Sequence, residues 1–330
     1  MELGKELLYL SEREERQLNV DINEIIDTLE EVHAARREGR VQMPPKPGLR
    51  PVGKAGFLDG YAAYVDGTDY LGIKWLSGYF ANPSRGLPFI NGLIILNDVS
   101  TGVPICVMGC GYVTALRTAG IHGVGLRRLI RPGARNIGVF GCGLQARTHL
   151  LAAAAASDRL TDVYCWDISP EQMERYRAEM AEVLPQLTFH LCDSGTEAVS
   201  AADVLLICAP LLPDGSGRTI RPGLLREGVT IAAVNGDSSF LEEALPEIDR
   251  VYVDDNEQYP VRKQAGMLCA ALPENSEELA QLVRGEVPGR RTDGERILIT
   301  TEGVAINDVS CARILYQHAL RDGVGTVLPL

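Results

Sequence analysis

From Asp21 to about Arg40, apolar residues fall at Ile22, Ile25, Ile26, Leu29 and Val32, the one-sided spacing of an amphipathic helix, and "VQMPPKPGLRP" ends it. Residues 57 to 108 read as strands, "GFLDGYAAYV", "YLGIKWLSGYF" and "GLIILNDVSTGVPICVM", parted by Gly, Pro, Asn and Asp. "VTALRTAGIHGVGLRRLI" returns to helical spacing, and "RPGAR" at 131–135 reads as a linker. Beyond it the rhythm changes. Short apolar runs, "NIGVF", "DVYCWD", "LTFHL", "DVLLICA", "VTIAAV" and "RVYVDD", alternate with helical segments. Uninterrupted apolar strands between helices predict a parallel sheet covered on both faces, the doubly wound α/β class. The chain closes with a short strand, a turn and a helix whose stripe, Val309, Ala312, Ile314, Leu315 and Ala319, predicts packing against another element.

At 330 residues the chain is long enough for two domains, each with a core of its own. "VFGCGLQAR", residues 139–147, directly follows an apolar run and opens a helical segment. Its Gly141, Gly143 and Ala146 have the order G-x-G-x-x-A of a dinucleotide turn. The first glycine permits the bend, the second lets the backbone approach a pyrophosphate, and the third small residue lets helix and strand pack closely. The phosphate meets free N–H groups at the helix N-terminus. Asp167 closes the next strand, 26 positions after Gly141, where an acid accepts the ribose hydroxyls and repels a 2′-phosphate. NAD is therefore expected in preference to NADP. The alternative is that Asp167 N-caps the "SPEQMERY" helix or sits in its turn with Ser169 and Pro170.

Composition adds exclusions. The chain is 45% hydrophobic and 23% charged, as in ordinary globular proteins. A net charge of −12 offers no overall basic field for nucleic acid. The eight cysteines form no C-x-x-C pair and several lie in apolar runs, which suits reduced, buried thiols. No apolar run reaches the ~20 residues of a membrane helix, and the N-terminal segment lacks a signal-peptide core. A cytoplasmic protein is expected, with no metal, membrane or nucleic-acid partner.

Two cations stand among apolar neighbours: Lys74 inside "YLGIKWLSGYF" and Arg117 inside "VTALRTAG". Each either points to solvent or binds a carboxylate. Asp237 directly follows the fifth strand, where doubly wound sheets place ligands. It can exchange a proton with a substrate nitrogen, or cap "SFLEEAL", where Ser239 and Glu242 have capping-box spacing. The five histidines form no ligand or triad pattern, and His149 reads as a polar helix residue.

Taken together, "MPPK", "GIKWLSGYFANPSRGLP", "ILNDVSTGVP", "TALRTAG", "GVFGCGLQARTHL", "NGDSSFLEE", "VYVDDNEQ" and "TTEGVAIND" are colinear over almost the whole chain. In these runs the chain resembles the ornithine cyclodeaminase/mu-crystallin family. The resemblance implies a homodimer with a doubly wound Rossmann domain, residues 131–304, inserted into an α+β substrate-binding and dimerisation domain, residues 1–130 with 305–330. It implies that Lys46, Lys74 and Arg117 bind a substrate carboxylate and that Asp237 and Lys74 are catalytic. The cofactor, NAD, is assigned to Arg117, Thr118, Gly141, Gly143, Leu144, Gln145, Ala146, Asp167 and Ser169. The implied activity is hydride transfer at the α-carbon of an amino acid or cyclic imino acid, as in alanine dehydrogenase or ketimine and pyrroline-carboxylate reductases. A cyclodeaminase releasing ammonia and a non-catalytic crystallin-like binder are the alternatives. Three departures stand out. Tyr61 lies near the position of the cyclodeaminases' glutamate, Lys46 replaces the usual arginine, and "GDSSFL" and "TTEG" replace G-D-C-P-G-K and a lysine-containing turn.

Overall fold

The computed structural model describes residues 1–53, 56–210, 212 and 215–330. The chain divides into two compact units, Met1–Arg117 with Val304–Leu330, and Thr118–Gly303. The first division falls inside the helix Cys110–Leu129, not at 130 as the linker-like "RPGAR" had suggested. The reason lies in the second half of that helix. Its Gly125 lies against Ile299 and Leu279, and its His122 against His149, all within the second unit.

In the first unit one sheet runs in the order Thr326–Pro329, Glu6–Leu10, Pro104–Gly109, Ile90–Asp98, Tyr70–Tyr79, Gly56–Val65 and Val41–Gln42, and Gly48–Leu49 also pairs with Gly56–Val65. Only the pairing of Glu6–Leu10 with Pro104–Gly109 is parallel among these. The run "GLIILNDVSTGVPICVM" is two strands, because Asp98 Oδ1 accepts the Thr101 N–H at 2.8 Å and closes a turn between them. The C-terminal strand Thr326–Pro329 was not expected from the sequence. The helix Ile22–Arg37 starts at Asp21, whose Oδ1 accepts the Asn23 N–H at 2.9 Å. It packs on the helix Ala305–Asp322, which covers the inner face of the sheet. Along Tyr70–Tyr79 the inward positions are Tyr70, Gly72, Lys74, Leu76 and Gly78, while Ile73 and Trp75 face outward and are exposed. A side chain at Gly72 would meet Ile95 O at 2.7 Å and Val309 Cγ1 at 3.4 Å, so glycine there lets helix and sheet close up.

In the second unit eight strands are all parallel, in the order Thr188–Leu191, Asp162–Trp166, Asn136–Phe140, Val204–Ile207, Thr230–Ala233, Ile297–Thr300, Arg250–Val253 and Glu277–Glu278. The central strands are buried throughout, as continuous apolar runs require. The strand Ile297–Thr300 inserts between two earlier ones, a non-sequential placement no local pattern signals. All eight cysteines are free thiols, and among the described residues no helix is long and apolar enough to cross a membrane.

One buried acid sets a pH dependence. Glu15, on the short helix Glu12–Gln17, is fully buried, and neither carboxyl oxygen has a side-chain partner. Burial, helped by Glu12, pushes its carboxyl up from 4.5 to about 8. The folded chain keeps this proton up to about pH 8 while the unfolded chain releases it near 4.5, so stability falls as pH rises through that window. Glu15→Gln is expected to remove a slope of at most about 1.4 kcal/mol per pH unit between pH 5 and 8 in chemical denaturation. An unchanged slope would show that Glu15 does not carry it.

Candidate active site

In the first unit the strand Tyr70–Tyr79 carries Lys74 into the interior, where its side chain is wholly inaccessible to water. Its Nζ donates to Asp308 Oδ1 at 2.8 Å. Arg117, near the start of the helix Cys110–Leu129, places Nε 3.0 Å from the same oxygen. Neither cation is solvated, so the solvent reading of both is overturned. Asp308 lies among eight consecutive buried residues at the start of Ala305–Asp322, and its Oδ2 has no hydrogen bond. Burial pulls the Lys74 ammonium below its ordinary value, against the attraction of Asp308. Burial pushes Asp308 up, yet Arg117 and Lys74 outweigh it and hold the carboxyl below its ordinary range. Two cations and one carboxylate thus meet at hydrogen-bond distance in a dry place.

Tyr61 stands directly across from Lys74 in the strand register. Its ring lies 5.5 Å from Lys74 Nζ and 4.6 Å from Lys46 Nζ. Burial pushes its phenol up to about 12, so it remains a neutral hydroxyl. Lys46 is held there because the Pro47 carbonyl accepts the Gly60 N–H at 2.9 Å and Gly48–Leu49 pairs beside it. Lys46, Lys74 and Arg117 are thus gathered with Tyr61 and Asp308. Sequence reasoning missed Asp308. It reads as one polar residue in an apolar helix stripe, and the only available signal was that two buried cations needed a counter-charge.

In the second unit the functional segments follow the carboxyl ends of parallel strands and so share one edge of the sheet. Gly141 has φ of 92°, and a side chain there would strike the Ala209 backbone at 2.7 Å. Gly143 is the N-cap of the helix Leu144–Ala156, and a side chain there would meet nothing within 4 Å. An open face over exposed helical N–H groups is the cradle a pyrophosphate needs. Leu144 and Gln145 form the first turn, and Ala146 is buried against the strand.

Asp167 Oδ2 accepts the Cys142 N–H at 2.8 Å and Oδ1 the Ser169 N–H at 3.0 Å. It therefore ties the glycine turn to the end of the second strand, while the helix Pro170–Val183 is capped by Ser169, whose Oγ accepts the Gln172 N–H at 3.2 Å. A cleft of about 130 Å³ opens between Gly141, Asp167, Ile168, Ala209 and Leu212. These residues fit NAD: a cradle, a carboxylate at the ribose position and an apolar slot. Thr118 is buried at the start of this unit.

Asp237 is buried, and its Oδ2 accepts the Cys269 N–H at 2.9 Å, with Arg218 Nη1 at 3.9 Å. The capping alternative fails, because the next helical turn, Glu242–Glu247, begins at Leu241 with no side-chain cap. Asp254 accepts the N–H groups of Glu302 and Gly303 at 2.6 and 3.2 Å and so holds the "TTEG" turn at the same edge. His149 is not a surface residue. It is fully buried, its Nδ1 lies 2.7 Å from Gln145 O and its Nε2 2.7 Å from His122 Nδ1. Among the described residues no group of His, Cys, Asp and Glu can hold a metal ion.

The two glycines separate fold from binding. Gly143→Ala is expected to leave stability within about 0.5 kcal/mol and to weaken NADH binding at least tenfold by fluorescence titration. Gly141→Ala is expected to cost about 1–3 kcal/mol by forcing a strained φ. Wild-type NADH affinity in Gly143→Ala would contradict the cradle.

The fold and most of the sequence have known counterparts. The Delta(1)-pyrroline-2-carboxylate reductase of Thermococcus litoralis, solved with NADH and L-proline, is 27% identical, with a TM-score of 0.83 over 97% of this chain and 99% of that one. An archaeal alanine dehydrogenase dimer with bound NAD is 27% identical, with a TM-score of 0.82 over 98% and 99%. The N-((2S)-2-amino-2-carboxyethyl)-L-glutamate dehydrogenase of Staphylococcus aureus is 28% identical over 99% of this chain and all of its own length. With residues 6–323 matching the family model, the chain belongs to the ornithine cyclodeaminase/mu-crystallin family.

Proposed function

We propose that the chain is an NAD(H)-dependent oxidoreductase that transfers hydride at the α-carbon of an amino acid or cyclic imino acid. The observation that carries this reading is the convergence of Lys74 and Arg117 on one buried spot, a pair of cations that suits a substrate carboxylate. Lys46 adds a second point charge beside Tyr61. Bound NAD(H) supplies or accepts the hydride. Lys74 and Arg117 bind and orient the carboxylate and, as fixed cations, favour electron gain at the adjacent carbon. Asp237, held by the Cys269 N–H, exchanges the proton of the substrate nitrogen. Asp167 favours NAD over NADP, since its carboxylate, already fixed by two N–H groups, repels a 2′-phosphate. A tyrosine opposite Lys74, in place of a carboxylate, favours a monoamino substrate over the diamino acid a cyclodeaminase must hold.

The relatives named for alanine and pyrroline-carboxylate chemistry support the same substrate class. NADH oxidation with a panel of cyclic imines, and of keto acids with amines, is the direct test. Lys74→Met is expected to lower kcat/KM by 10²-fold or more, and Asp237→Asn to lower kcat by about 10²–10⁴-fold with KM little changed. Ammonia release from ornithine without net NADH turnover would favour a cyclodeaminase. Cofactor binding with no turnover across the panel would favour a binding protein.

We further propose a cytoplasmic homodimer. The outward sheet face exposes Ile73, Trp75 and Leu93, at 37%, 53% and 39%, an apolar strip of the kind that self-association covers. Trp75→Glu is expected to convert a dimer of about 72 kDa, twice the 35.8 kDa chain, to a monomer in light scattering. A wild-type monomer at working concentration would overturn the assignment.

A further inference from the structure

The first unit holds a second cavity, of about 360 Å³, between the start of the strand Tyr70–Tyr79, the end of Ile90–Asp98, the start of Pro104–Gly109 and the later turns of Ala305–Asp322. Its floor is apolar, formed by Leu96 and Ile105, and Leu3 and Leu320 stand at the rim. Its polar groups are segregated. Arg313 reaches in with its guanidinium 4.8 Å from the Tyr70 ring centroid, and its Nε is buried without a hydrogen bond, 3.5 Å from Asp69 Oδ1. Tyr70 pairs across the sheet with Asp98, and Asp69 and Asp98 line the cavity together with Arg313. Asp98 is held ionised by the Ser100 and Thr101 hydroxyls and the Thr101 N–H.

We propose that this cavity binds a free α-amino acid with an apolar side chain, at a site separate from the catalytic one. A guanidinium in the lining suits a carboxylate. Two acids and one arginine in the lining give it an excess of negative charge, which suits the ammonium of the same zwitterion. The apolar floor takes a side chain of leucine or phenylalanine size, and a cavity of this volume accommodates one.

The same two elements link the site to Lys74 and Asp308. Tyr70 lies on the face of the strand that carries Lys74, four residues before it, and Arg313 is five residues beyond Asp308 on one helix. A ligand that clamps Tyr70 and Arg313 together therefore bears on the spacing of the Lys74–Asp308 pair, and occupancy changes the substrate KM. This coupling rests on the proposed function, whereas the binding does not.

Isothermal titration calorimetry of the full chain with L-leucine, L-valine and L-phenylalanine tests the binding. At least one is expected to bind both the wild type and Lys74→Met with similar affinity. Arg313→Gln and Leu320→Trp, the latter filling the rim from an exposed position, are each expected to weaken it at least tenfold. If Arg313→Gln fails to fold, Leu320→Trp decides alone. Binding lost in Lys74→Met but kept in the cavity variants would place the amino acid in the catalytic site and overturn the proposal. So would the absence of binding by all three at about 10 mM.

Discussion

The first unit is organised by one buried interaction, the sharing of Asp308 Oδ1 by Lys74 and Arg117. Three charged groups removed from water are tolerable only because they neutralise one another at hydrogen-bond distance. Loss of the aspartate alone would leave two like charges in a dry interior, a situation that costs about 3–5 kcal/mol. The partners lie 234 residues apart in the chain. The contact therefore requires the C-terminal helix to return and lie on the sheet, and Gly72 gives it the room to approach. Two cations held at one spot also suit an anion, so in the proposed function binding depends on the same side chains as stability.

The second unit solves a different problem. Its parallel strands bring turns that are distant in sequence to a common edge, and each turn is stiffened by its own backbone hydrogen bonds. Asp167 spans the glycine turn and the end of the next strand. Asp254 holds the "TTEG" turn, and the Cys269 N–H orients Asp237. Beneath the glycine turn, Gln145 O, His149 and His122 form a buried chain that joins the helix Leu144–Ala156 to the helix Cys110–Leu129. With Nδ1 of His149 donating to the carbonyl, its Nε2 accepts from His122 Nδ1. A rigid first turn is what a phosphate cradle needs, since its N–H groups must already point the right way.

Much of this was legible locally. The strands around Asn136–Phe140, Asp162–Trp166 and Val204–Ile207 declared themselves as apolar runs between helices, and the glycine order carried its own steric logic. Lys74 and Arg117 could be singled out but not interpreted, because a charge among apolar residues reads the same whether it points outward or inward. The resemblance to a family tipped that balance, and burial settled the direction. Asp308 stayed hidden in an amphipathic helix, and His149 read only as a polar helix residue, because the elements that cover them come from remote parts of the chain. Asp237 was an even choice between cap and acid, and the helical turn after it begins without its side chain.

By itself the sequence determined the periodic elements, the parallel character of the second sheet and the dinucleotide turn, since these follow from side-chain spacing and backbone sterics within a few tens of residues. Only the tertiary structure decided which buried charges meet, where the strand Ile297–Thr300 inserts and where the helix Cys110–Leu129 divides between units. Those outcomes depend on desolvation and on contacts closed across long loops, and neither leaves a periodic trace along the chain.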